Sequence, residues 1–238
     1  MKNIKICCPE SYETNCPIFD VHDKIEESFY FLVSMGEYYH FPCVFRYNLN
    51  AFIQSLRSVT FLIQANKAKI PDFEKWYKIK QDEMKSNNLL SKISSARTFI
   101  VHKGMLKTKS KASIGLFRDR DIKLCFDFDI NPFVDSKTEL LRMIDIFKKN
   151  ELDFVGNHGA IGEQYGLKRQ WVVEDISSEE IVSVCYEAYK IIVDIVFDLH
   201  QMFGFEFVPS GLTDHFIEKQ QVLLETDIDP SLPKKWGW

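Results

Sequence analysis

Arg97 and His102 are the two side chains of this chain whose types and spacing suit catalysis together. A guanidinium stays charged at any physiological pH and can fork onto two oxygens of a phosphate. An imidazole titrates near neutrality and can give or take a proton. Both lie in the segment NLLSKISSARTFIVHKG, Asn88 to Gly104, where Leu89, Ile93, Ala96 and Ile100 recur at helical spacing. Five residues of helix correspond to about 7.5 Å of rise and about 140° of rotation, so the two side chains do not stack, although a long arginine can swing toward a shared pocket. The plainer reading is an ordinary surface arginine and a last-turn histidine that meets terminal carbonyls and the helix dipole.

The surroundings of this pair are basic. From Met84 to Arg118 there is no Asp or Glu, whereas Lys85, Lys92, Arg97, Lys103, Lys107, Lys109, Lys111 and Arg118 all fall inside, in a chain whose formal net charge is −4. Such a local field draws phosphates by Coulomb attraction and counterion release, independent of base sequence. Lys92, Lys103, Lys107, Lys109 and Lys111 are the candidate RNA contacts.

Arg97-Thr98-Phe99-Ile100-Val101-His102 closing a helix resembles the signature of the HEPN superfamily, which is Arg, then Asn, Asp or His, then three residues, then His. Thr98 stands where that signature has Asn, Asp or His. The phrases FEKWYKIKQDEMKSNNLL and RSVTFLIQ extend the likeness, which covers residues 23–104 and the helix near 178–203. The resemblance implies an antiparallel helical bundle of four to five core helices and a metal-independent endoribonuclease. His102 would activate the ribose 2′-hydroxyl or protonate the leaving oxygen, Arg97 would stabilise the charged phosphate, and Thr98 would hold the imidazole or phosphate. It also implies a homodimer with both motifs in one cleft, a role as toxin or anti-phage effector, and an antitoxin partner of nucleotidyltransferase type. The alternative within the same resemblance is a scaffold that binds nucleic acid or protein without cutting. No cofactor and no metal are implied.

The elements that must position these residues read as mainly helical. Residues 1–22 form an irregular or short-strand lead-in, and 23–204 a single helical domain. Its helices run from Asp23 to about His40, from Pro42 to near Asn66, from Asp72 to about Ser86, and through the motif to Gly104. Alternation at Ala112–Phe117 and Ile122–Ile130 predicts an inserted β-hairpin near 112–130, and residues 136–149 predict a helix. GNHGAIGEQYG, with Gly156, Gly159, Gly162 and Gly166 around His158, reads as a mobile surface loop, since no P-loop lysine follows. Gln170–Asp175 reads as a short strand. A strong helix follows from Ser178 to Phe203, and residues 205–238 form a tail with one short helix near 213–225.

Weaker candidates complete the inventory. Asp127 and Asp129 share a strand face and suggest a metal pair, but solvated edge-strand positions are the commoner cause. Cys7, Cys8, Cys16 and His22 lack zinc-knuckle spacing. His22, His40, His200 and His215 read as structural or solvated. The two terminal tryptophans, Trp236 and Trp238, suit a partner contact or a docked tail. Of 238 residues, 45% are hydrophobic and 14% aromatic, enough for a substantial core. No apolar run has signal-peptide or membrane-spanning length, so the expectation is a cytoplasmic chain with reduced cysteines.

Overall fold

The computed structural model describes residues 5–7, 16–150, 152 and 160–238. Packing groups the chain into two compact units. The helical unit comprises residues 1–34, 47–106 and 182–212, and the sheet unit comprises 35–46, 107–181 and 213–238.

The helical unit is built on α1 (Phe19–Glu37), α2 (Pro42–Ala65), α3 (Phe73–Ser86) and α4 (Asn88–His102), with the later α6 (Ile181–Met202). Each buries one apolar stripe. On α2, Phe52, Ile53, Leu56, Val59 and Ile63 are all fully buried, and on α6 so are Ala188, Val196 and Leu199. Polar contacts fix neighbours: the Ser28 and Ser55 hydroxyls meet at 2.8 Å between α1 and α2. Lys80 of α3 reaches Asp198 of α6 at 2.6 Å. A parallel pair of short strands, β1 (Lys5–Cys7) against β5 (Phe205–Phe207), belongs to the same unit.

The helix that carries the motif starts and stops where its sequence says. The Asn87 side chain accepts the Leu90 backbone N–H at 3.0 Å, a side-chain N-cap. At the other end Gly104, at φ 119°, takes a conformation that a residue with a Cβ rarely adopts, and its N–H reaches the Phe99 carbonyl at 3.1 Å.

The sheet unit corrects the expected architecture. The predicted hairpin exists as β2 (Lys109–Arg118) and β3 (Asp121–Ile130), turned through Asp119 at φ 55°. It is half of a larger four-stranded antiparallel sheet of order β3-β2-β4-β6, with β4 at Glu163–Val172 and β6 at Val222–Leu224. Helix α5 (Ser136–Lys149) packs Leu140, Ile144 and Phe147 against Ala112, Ile114, Tyr165 and Leu167 of that sheet. The described chain is therefore a mixed helix-and-sheet fold, not a helical bundle carrying a hairpin.

Two local expectations are revised with it. Sequence patterning reads the glycine-rich run as a surface loop with a strand only from Gln170, yet β4 begins at Glu163 and lies between β2 and β6. Gly166 sits inside that strand because Phe117 and Leu224 flank it: an added Cβ would lie 2.6 Å from the Phe117 ring and 2.8 Å from a Leu224 methyl. Gly156, His158 and Gly159 lie outside the described residues. The tail divides into α7 (Asp214–Gln220), β6, α8 (Glu225–Ile228) and α9 (Leu232–Trp236), not one helix. No described helix is long and apolar enough to cross a membrane.

Candidate functional site

A cleft of about 290 Å³ opens in the helical unit between α2, α3, α4 and α6. Its floor is apolar, made by Leu56, Met84, Leu90, Ile93 and Ile192. Its walls are polar. Helical periodicity explains the lining: α2 contributes Arg57, Thr60 and Gln64 at i, i+3 and i+7, and α3 contributes Tyr77, Gln81 and Lys85 at i, i+4 and i+8. The volume lies near the small end of the range for ligand pockets.

Among the described residues that line this cleft there is no Asp or Glu. The Arg57 guanidinium lies over the Phe61 ring, 4.4 Å from its centroid, and donates to the Thr60 hydroxyl. From α4, Arg97 reaches the same ring at 5.8 Å. Neither arginine makes an ion pair with a carboxylate among the described residues. Lys85 donates to the Gln81 amide oxygen at 3.3 Å and makes no ion pair among the described residues. The reason is visible along the chain: no Asp or Glu occurs from Tyr38 to Pro71 or from Met84 to Arg118, so α2 and α4 carry no acid at all. Burial lowers the pKa of Arg57, and the neighbouring Arg97 charge lowers it further against the opposing pull of Tyr77. Burial likewise raises the Tyr77 phenol, which therefore stays a neutral donor. Phe61 is exposed, and it lines up the two cations through ring-face attraction without neutralising them.

Of the sequence candidates, Arg97 faces this cation cluster and the others do not join it. The Thr98 hydroxyl donates to the Ser94 carbonyl of its own helix at 3.1 Å, which occupies its donor. His102 is exposed at the last position of α4. No hydrogen bond connects Arg97, Thr98 and His102 among the described residues. Lys92 is half-buried on α4, and Lys103 is exposed with its ammonium 6.0 Å from the Phe99 ring centroid. Lys107, Lys109 and Lys111 belong to the sheet unit, where Lys109 pairs with Glu174 at 2.6 Å. The acid-free stretch is thus divided between two units. Arg57, Phe61, Tyr77 and Lys85 were not singled out as a site from sequence; the missing acids of α2 were the readable signal.

The other candidates resolve as structure. Asp127 accepts from the Ser113 hydroxyl across the strands at 2.6 Å. Cys16, His22 and His200 meet in the buried helical core, with Cys16 Sγ 3.6 Å from His200 Nε2 and the two imidazoles edge to face at 5.5 Å. No three described His, Cys, Asp or Glu side chains are arranged to hold a metal ion. Cys8 lies outside the described residues. His40 shares a 2.9 Å hydrogen bond with the buried Ser136.

Fold and site define a mixed α/β protein of two units whose helical part presents an uncompensated cationic cleft. A family described as "Bacteriophage lambda protein ea47" matches residues 10–229, and the chain belongs to that family. Protein ea47 of Escherichia phage lambda is 37% identical over 79 residues, which is 33% of this chain and 19% of that relative. The match thus spans less than a fifth of the relative's length. No solved structure matches. The membership overturns the HEPN resemblance drawn from Arg97 to His102, because the matching family spans nearly the whole chain and is a different one. A six-residue spacing recurs by chance in unrelated helices. The expectations that stood on the resemblance alone, the two-motif catalytic dimer, the toxin or anti-phage role and the antitoxin partner, lose their ground with it.

Proposed function

We propose that this chain binds single-stranded nucleic acid, RNA in the first instance, through the cleft of its helical unit. Backbone phosphates sit on Arg57 and Arg97, with Lys85 at the wall of the cleft, and the polar-walled cleft receives a base. What supports this reading is one observation: two guanidinium groups converge on an exposed aromatic ring, from two helices without a single acid, and neither has a carboxylate partner among the described residues. Proteins that hold single strands without sequence preference combine such a cationic track with aromatic and polar walls. Structural arginines, by contrast, are paired or fully hydrogen-bonded.

Metal-independent cleavage is the second reading, and the uncompensated Arg97 is what favours it, as a stabiliser of charge on the scissile phosphate. It requires His102 to approach from another side of α4, and Thr98 to give up its bond to Ser94. One experiment separates the two. Labelled RNA and DNA oligonucleotides of the same sequence are titrated with wild type, with Arg57→Ala/Arg97→Ala and with His102→Ala, in excess chelator, reading anisotropy and strand integrity together. Binding of intact strands by wild type and His102→Ala, lost in the double arginine variant, supports the binding module. Strand scission abolished by His102→Ala moves the assignment to cleavage. Equal binding by all three proteins sinks the cleft as the site.

A further inference from the structure

The face of the sheet turned away from α5 carries a second cleft, of about 640 Å³, built wholly within the sheet unit. Strand register sets its side chains in two rows. Asp129 of β3 stands opposite Lys111 of β2, and Lys111 opposite Gln170 of β4; two residues along, Asp127, Ser113 and Lys168 form the second row. Their chain neighbours Ala112, Ile114, Ile130 and Leu167 point the other way, into the core under α5. Carboxylates therefore lie on the β3 side of the cleft, and ammonium and amide groups on the β2 and β4 side. Glu180 and Gln221 close it beyond β4: the Gln221 carbonyl accepts the Arg169 N–H, and the Glu180 carboxylate shares the Tyr39 phenol with the Arg169 carbonyl.

Two observations separate this cleft from an ordinary solvated sheet face. Opposite charges stand side by side on it without pairing. Lys111 and Asp129 are direct cross-strand neighbours, within reach of an ion pair, yet neither of them, nor Lys168, has an ion pair or side-chain hydrogen bond among the described residues. Arg118 and Glu163, cross-strand neighbours at the other end of the same sheet, do pair. Asp127 gives one oxygen to the Ser113 hydroxyl and keeps the other unbonded. The second observation is Gln221, which is 8% exposed. Its backbone bonds to Glu218 and Arg169, but its side-chain amide neither donates nor accepts among the described residues. A buried amide without a partner is costly, and a ligand in the cleft would supply one.

The lining also selects the ligand. Asp127, Asp129 and Glu180 outnumber Lys111 and Lys168, so a polyanion is disfavoured here. Phe128, the aromatic residue at the cleft, turns its ring to the opposite face, against the core under α5, and offers no stacking platform for a base. A ligand that carries both signs answers the whole lining. We propose that this cleft binds a small zwitterion, an amino acid or a short peptide with both ends free, its ammonium on Asp127 and Asp129 and its carboxylate on Lys111 and Lys168, with the Gln170 and Gln221 amides beside it. Asp127 and Lys168 stand two strands apart, roughly 9–10 Å, a span that about three extended residues cover. The proposal concerns the sheet unit and is independent of what the helical cleft binds.

The test is isothermal titration calorimetry of the full chain at low ionic strength against the free α-amino acids and against tripeptides of the form Ala-X-Ala, with circular dichroism to confirm that each protein is folded. Saturable binding of at least one probe is expected. N-acetylation and C-terminal amidation of that probe are each expected to weaken it by about tenfold or more, the worth of a charge-assisted hydrogen bond. Asp127→Asn/Asp129→Asn should bind the free probe as weakly as wild type binds the acetylated one, and should no longer discriminate between the two. Lys111→Gln/Lys168→Gln should behave in the same way toward amidation. A tripeptide that outbinds every free amino acid assigns the peptide, and the reverse assigns the amino acid. Absence of binding across the panel, blocked probes that bind as well as free ones, or variants that keep the discrimination would each overturn the proposal.

Discussion

The two units treat arginine in opposite ways. In the sheet unit Arg169 is fully buried, and its guanidinium is satisfied on every side. It donates to the Ser110 hydroxyl at 2.8 Å, to the Val134 carbonyl at 2.9 Å, to the Ser136 hydroxyl at 3.2 Å and to the Asn131 carbonyl at 3.4 Å, and it stacks 3.9 Å from the Trp171 ring centroid. Burial lowers its pKa to about 10, so it remains cationic at neutral pH and is held there by dipoles and by the nearby Tyr39, Glu139 and Asp135. Other arginines of the same unit are paired as well: Arg120 contacts both carboxylate oxygens of Asp227 at 2.9 and 3.1 Å, and Arg118 meets Glu163. In the helical unit Arg57 and Arg97 have an aromatic ring and a hydroxyl, and no acid among the described residues. The first arrangement spends a charge on holding strands together; the second leaves charge available for a ligand. That difference, and not the number of basic residues, is what the proposed binding surface rests on.

The comparison is broken most severely by emptying the satisfied site. Arg169→Leu strands two carbonyls and two hydroxyls in the core and removes the ring partner of Trp171, so we expect a loss of roughly 3–5 kcal/mol in a urea titration. Arg169→Lys is expected to recover little of it, because one ammonium cannot reach all of these acceptors. Gly166→Ala comes next. Its methyl collides with Phe117 and Leu224, and the expected cost is about 1–3 kcal/mol in the same titration.

Acid sharpens the contrast further. Burial, and then the Arg169 charge, push His40 down to about 4. The unfolded chain therefore takes up the proton first, and stability present at pH 7 is lost as pH falls from about 6.5 toward 4, by roughly 3 kcal/mol. Thermal melts across that window are expected to show the decline in wild type and a shallower one in His40→Gln. The smallest effect is expected at the other arginines: Arg57→Ala/Arg97→Ala should shift stability by less than about 1 kcal/mol, since no buried acid is left unpaired. A large loss there would make those arginines structural and erase the distinction between the units.

Much of the helical unit was legible in sequence because long apolar stripes and end signals agree locally. Pro42, Asn87 and Gly104 bound the helices where the structure does. The sheet was only half legible. β2 and β3 alternate cleanly, but β4 opens among glycines that sequence patterning reads as loop, and β6 is three residues long. Their strand character comes from partners distant in the chain, Phe117 beside Gly166 and Leu224 opposite it. For the candidate site, Arg97 and the acid-free stretch pointed to α4, the helix from which Arg97 reaches Phe61. The spacing to His102 suggested a pair that the helix does not assemble, and the partners of Arg97 come from α2, some forty residues earlier, joined only by packing.

The central claim, that Arg57 and Arg97 are free to bind phosphate, is tested most directly by the salt dependence of single-stranded RNA binding in wild type and Arg57→Ala/Arg97→Ala. Each phosphate contact contributes about −0.7 to the slope of log K against log salt for a single strand. The account predicts weaker binding by the double variant, with a slope shallower by about 1.4. Equal affinity and equal slope in the two proteins would contradict it.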